Sequence, residues 1–151
     1  MLKKIRFAVL GLALSSAALV ARAHEHKVPP GPIHDRHELM EGIGKNSKII
    51  GDAMKAGKYD TVPAAAEKIE QAAGKITALF PPGSTHEHSR AKPEIWTHWP
   101  QFESDAKELQ NTAGALAAAA RNGKGVGEAS QKMFDTCKNC HEQFRIPKKA
   151  E

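Results

Sequence analysis

Cys137, Cys140 and His141 stand together in "FDTCKNCHEQFR", residues 134–145, and these two cysteines are the only ones in the chain. Thiols at i and i+3 serve three kinds of chemistry: a dithiol redox pair, half of a zinc site, or covalent attachment of a haem. A thioredoxin-like dithiol belongs in a βαβ context and needs no histidine after the pair, and no such context is legible here. A structural zinc takes four ligands, and there is no second cysteine pair. A disulfide between such close neighbours closes too short a loop to stabilise a fold. Only the third chemistry gives His141 a purpose. On a helix, Cys137 and Cys140 are one turn apart and His141 is at i+4 from Cys137, so all three project from one face. Two thioethers would fix the vinyl edges of a haem against that face while the imidazole rises to the iron as proximal ligand.

A face of that kind needs a helix, and the helix needs partners. Apolar periodicity predicts four helices. The first covers about 34–56, with Leu39, Met40, Ile43, Ile50 and Met54 on one stripe and Gly57 as its stop. The second runs over about 62–79, with Val62, Ala66, Ile69, Ala73 and Ile76 aligned, Asp60 or Thr61 as cap, and Pro63 tolerated in the first turn. "FPPGSTHEHSRAKP" reads as a connecting loop. The third helix follows "PEIWTHWP", where Pro100 either starts it or kinks it early; Phe102, Ala106, Leu109, Ala113, Leu116 and Ala120 form its stripe and Asn122-Gly123 its end. The fourth covers about 127–144, with Ala129, Met133, Cys137, Cys140 and Phe144 aligned and Pro147 beyond it. Four amphipathic helices with mostly short connections predict an all-α fold, an antiparallel up-down-up-down four-helix bundle. Trp96 and Trp99 are expected in its core rather than at a ligand.

The N-terminus sets the compartment. Lys3, Lys4 and Arg6 precede an apolar run from Phe7 to Val20, and Ala21-Arg22-Ala23 is a small-x-small cleavage site. This is the pattern of a secretory signal peptide, too short to span a bilayer stably. The domain plan is therefore a cleaved signal at 1–23, a flexible segment at 24–33 and a helical domain at 34–148. Of 22 Lys+Arg, the four at Lys3, Lys4, Arg6 and Arg22 leave with the signal and no acid goes with them, leaving 18 against 17 Asp+Glu. A net charge near +1 gives no support to nucleic-acid binding by bulk electrostatics. No further apolar run approaches the ~20 residues of a membrane span, so stable membrane insertion is not expected.

"CKNCHEQFR" near the C-terminus of a four-helix chain resembles the attachment segment of the cytochrome c prime family, the class II c-type cytochromes. "RHELMEGIGKNSKIIGDAMKAGKYD" is similar to that family's first helix and following turn, and "RAKPEIW" to its approach to the third helix. The likeness spans most of residues 34–148, with Phe144 where many members carry tyrosine. The resemblance implies one covalent haem c, held by Cys137 and Cys140 and ligated by His141. High-spin members leave the sixth iron position open and bind nitric oxide or carbon monoxide there. Low-spin c-556-type members place a first-helix methionine on the iron. Counting from Arg36, similar to the family arginine that meets a haem propionate, the distal position falls at Met40, which also lies on the apolar stripe. Arg145 is expected in the haem environment in the same way, the alternative for both arginines being a solvated surface position.

Other distal ligands compare poorly. Met54 is 14 residues beyond Met40, about 21 Å along the helix at 1.5 Å per residue, and Met133 is eight residues before His141 on the proximal side. His37, one turn before Met40, is the other donor in range and would give a bis-histidine site. The plain alternative for Met40 is core packing. Gly42 and Gly44 could let the first helix approach a macrocycle closely. A His/Met pair suits single-electron transfer at a raised potential. Three functions follow in order: an exported electron carrier; a gas-binding haem protein with an open distal side; and a metal-handling protein using the "HEH" segments at 24–26 and 86–88. A six-coordinate iron offers no open site, so an enzyme is not expected. The redox partner is unnamed by the sequence, and monomer and homodimer both stay open.

Overall fold

The computed structural model describes residues 30–87 and 89–147. The signal segment and the first HEH segment lie outside the described residues, as does His88 of the second. Four long helices form the bundle: α1 (Pro32–Ala56), α2 (Val62–Ala73), α4 (Trp99–Asn122) and α5 (Val126–Phe144), with a four-residue helix α3 (Glu94–Thr97) before α4. The all-α bundle is as the periodicity predicts, and no strand is formed among the described residues.

The helix ends follow from local chemistry. α1 starts at Pro32, two residues before the expected His34, because a proline's missing N–H and fixed φ suit a first turn. It stops at Gly57, whose φ of 63° lets its N–H turn back to the carbonyls of Ala53 and Met54. α4 ends in the same way at Gly123, with φ 65°. Pro100 lies in the first turn of α4 and starts that helix rather than kinking it; the chain breaks at His98, with φ −120° and ψ 40°.

The second helix is shorter than its stripe. It ends at Ala73 rather than Leu79, and neither Asp60 nor Thr61 caps it with a side-chain hydrogen bond. From Lys75 onward the N–H groups bond three residues back, Lys75 to Ala72, Ile76 to Ala73 and Phe80 to Thr77, closing a 3₁₀ turn at Thr77–Leu79. A three-residue apolar spacing fits either helix type, so the tighter turn still buries Ile76 and Phe80.

The core lies on the expected stripes. Ile43 and Ile50 of α1, Val62, Ala66 and Ile69 of α2, Phe102, Leu109 and Leu116 of α4, and Met133 and Phe144 of α5 are all buried. α2 packs most closely on α4, α4 on α5, and α1 on α2; α1 and α5 form no packed seam of comparable extent. Small residues set the central seam. Ala65, Ala66 and Ala73 of α2 and Ala113 and Ala117 of α4 are all buried, and a Cβ at Gly114 would stand 2.9 Å from a carboxylate oxygen of Glu70. At one end Phe102 gathers an aromatic cluster, with its ring centroid 4.8 Å from Phe80, 5.4 Å from Phe144 and 5.5 Å from Trp99. Trp96 donates its indole N–H to the carbonyls of Phe80 and Pro81, so both tryptophans belong to the core edge.

Leu116 is fully buried. Leu116→Ala should therefore lower the unfolding free energy by about 2–5 kcal/mol in a denaturant titration. Ala118→Ser, on the exposed face of the same helix, should stay within about 0.5 kcal/mol of wild type.

Candidate haem site

A narrow apolar cleft runs where α1 and α5 face one another. Met40 and Ile43 come from α1, Phe102, Asp105, Ala106 and Leu109 from α4, and Thr136, Cys137, Cys140 and His141 from α5, with Ile76 closing one side. The helical spacing therefore delivers both thiols and the imidazole to one wall, and Met40 stands on the wall across from them. Of the other distal donors, His37 is exposed and lies 3.9 Å from Glu38, outside the cleft. Met133 is fully buried in the core and Met54 half-buried against it; neither lines the cleft.

Burial controls the titration of this wall. It pushes the Cys140 thiol up to about 12, with the negative charges of Asp105 and Cys137 adding to the effect, and it raises Cys137 as well. It also lowers the His141 imidazole to about 4, helped by the positive charges of Arg145 and Arg90. The imidazole is thus neutral, which is the form that ligates a metal.

The two arginines differ. Arg145 is exposed and lies on the outer rim with Lys138, His141 and Glu142, within electrostatic reach of His141. Arg36 is not a solvated surface residue: it is 5% exposed. Its guanidinium donates to the Ser84 hydroxyl at 3.0 Å, the Ser84 carbonyl at 2.8 Å and the Ser89 hydroxyl at 2.7 Å, and stands 4.7 Å above the Phe80 ring. It does not line the cleft, and no carboxylate among the described residues offsets its charge. Gly42 and Gly44 do not line the cleft either, and a Cβ at either would meet nothing within 4 Å.

A family profile described as Cytochrome C' matches residues 31–145. The chain belongs to the cytochrome c' family. A cytochrome c-556 of Agrobacterium tumefaciens (strain II Chrys) is 33% identical over 122 residues, covering 78% of this chain and 99% of the relative. A cytochrome c' of Pararhodospirillum photometricum is 30% identical over 122 residues, covering 78% and 98%. The crystal structure of cytochrome c' from Thermochromatium tepidum matches with a TM-score of 0.72 at 29% identity, covering 77% of this chain and 95% of that one.

Proteins of the cytochrome c' family bind haem c. The donor set of the cleft suits that group: two thiols one turn apart, a neutral imidazole beside them, and largely apolar walls. Its volume is only about 40 Å³. Cofactor pockets usually enclose ~300–1,000 Å³, so a macrocycle held by these residues would need α1 and α5, which share no extensive packed seam, to stand further apart. Sequence reasoning missed one cleft residue of consequence, Asp105. The signal was there, since an acid three residues after Phe102 and four before Leu109 shares their apolar stripe.

The lowered His141 value has a sign. Between pH 6.5 and about 4 the unfolded chain takes up a proton that the folded chain refuses. The stability held by the neutral imidazole is therefore complete above about 6.5 and is lost as pH falls toward 4. In haem-free protein, unfolding free energies measured across that window should fall with acid, and His141→Phe should flatten this part of the profile. An unchanged profile in the variant would mean that the imidazole is solvated.

Proposed function

We propose that this cytochrome c' family chain is an exported, periplasmic single-electron carrier with one covalent haem c, attached through Cys137 and Cys140, ligated by His141 and Met40. The observation that carries this reading is that Met40 and His141 line one cleft from opposing helices, whereas His37, Met54 and Met133 do not line it. When bound, the haem supplies the one-electron couple, and the chain supplies ligands, burial and orientation. Cys137 and Cys140 anchor the group to α5, and the depressed basicity of His141 keeps its lone pair available. Met40 fills the sixth position with a neutral thioether, which favours the ferrous state and leaves no open coordination site, so no enzymatic role is part of the proposal.

Export rests on the N-terminal pattern at 1–23, and among the described residues no helix is long and apolar enough to cross a membrane. Arg36 is proposed as a propionate partner: a buried cation without a carboxylate invites an anion. Arg145 is proposed at the rim. Exposed Ile49 on α1 and Tyr59 in the turn after it support homodimerisation through the first two helices. For the metal-handling reading, the described residues offer one exposed group on α1, His37, Glu38 and Glu41, whose ligand atoms lie within 4.8 Å of one another.

Two experiments test this. In denaturing acid extraction, wild type should retain its haem, Cys137→Ala and Cys140→Ala should each keep at most one thioether, and the double variant should release the group completely. In spectroscopy, the ferric protein should be low-spin with the far-red absorption of a methionine–iron bond. Met40→Leu should abolish that absorption, turn the iron high-spin, lower the potential and speed carbon monoxide binding to the ferrous form, while Met54→Leu leaves all four unchanged. A wild type that is already five-coordinate would replace the carrier by a gas-binding protein.

A further inference from the structure

Asp105 is the one acid in the cleft wall, and its two oxygens are treated differently. Oδ1 accepts a hydrogen bond from the Gln101 amide one turn earlier, at 2.6 Å. Oδ2 is buried and has no hydrogen-bond partner among the described residues. A buried, unpartnered carboxylate oxygen is costly to keep, and a neutral side chain of similar size would avoid that cost. No ion pair with Asp105 is formed among the described residues, so its charge is not cancelled locally; the basic groups nearest the site, Arg90 and Arg145, act on His141 instead. Asp105 lines the same cleft as Cys137, Cys140 and His141, so its charge faces the site directly.

We infer that Asp105 is a potential-setting residue: its carboxylate, oriented by Gln101 at the thioether side of the cleft, stabilises ferric over ferrous iron and lowers the reduction potential. The inference rests on the reading that a haem c occupies this cleft. The step it acts on is the transfer of one electron from a one-electron donor to ferric iron, giving ferrous iron, with no bond broken and no proton moved. Reduction lowers the positive charge of the centre by one, so a nearby negative charge in a medium of low dielectric opposes it. Asp105 thus acts against Met40, whose thioether favours the ferrous state. The carboxylate touches no reacting atom and works only through its field.

The test is a spectroelectrochemical titration of the purified holoprotein. Asp105→Asn removes the charge but keeps an oxygen to accept the Gln101 N–H. It should raise the midpoint potential, with the equilibrium constant for reduction rising roughly three- to tenfold, tenfold being 59 mV for one electron. The Soret band and the methionine–iron absorption should not change. Asp105→Ser, equally neutral, should shift the same way should the amide fail to load haem, and Asp105→Glu should stay near wild type. Neutral variants with intact haem and an unmoved potential, or a glutamate that shifts as far as they do, overturn the inference. Wild type without haem would instead remove the carrier reading, and this inference with it.

Discussion

The separation of α1 from α5 is the constraint on which the rest depends. It is not made by either helix. α2 and α4 come close because their buried positions include many small residues, Ala65, Ala66 and Ala73 on one and Ala113 and Ala117 on the other, and each then carries an outer helix on its far side. α1 is held by α2 and α5 by α4, so the two walls of the cleft are positioned by a seam that contains none of the site's donors. Larger residues in that seam would move both walls at once. The alanine-rich, aromatic-poor composition has this structural use: it spends bulk at the aromatic end and keeps the central contact thin.

The connection between α2 and α4 is tied down by polar contacts that the bundle core cannot supply. Arg36 reaches from α1 to Ser84 and Ser89 and lies over Phe80, while Trp96 bonds to the carbonyls of Phe80 and Pro81. Ala91 pairs with Arg145, and the Lys92 N–H donates to the Phe144 carbonyl at 3.0 Å, which joins the same segment to the end of α5. The start of α1 and the end of α5 are thus linked through one loop, which ties the two walls together at one end of the cleft. Hydrogen bonds from a charged donor are worth about 1.5–3 kcal/mol each, enough to hold such a loop in place without apolar burial of its own.

Much of this was legible in the sequence, and the exceptions have physical causes. The gathering of Cys137, Cys140 and His141 on one cleft wall was readable because they obey helical spacing. The core was readable because α2 and α4 carry long, regular stripes. The end of α2 was not: Ala73, Ile76 and Leu79 fit an α-helix and a 3₁₀ turn equally, and only hydrogen bonding separates them. The break at His98 depended on how Pro100 would be used, which periodicity does not decide. The burial of Arg36 arises from serines 48 and 53 residues away, and no local pattern announces it. Asp105 was overlooked because a single acid on an apolar stripe reads as an interruption.

That interruption changes how the site's electrostatics are understood. The apolar walls penalise any net charge, so in isolation they would favour the ferrous centre. On the proposed ligation, a thioether from Met40 would push in the same direction. The arginines at 90 and 145 add positive potential near His141, which favours the ferrous state again. On that reading three influences would point one way, and Asp105 is the one described side chain in the cleft whose charge would point the other. On that reading an intermediate potential needs an opposing charge within the cleft, and a carboxylate with one oxygen held by Gln101 and the other buried supplies one.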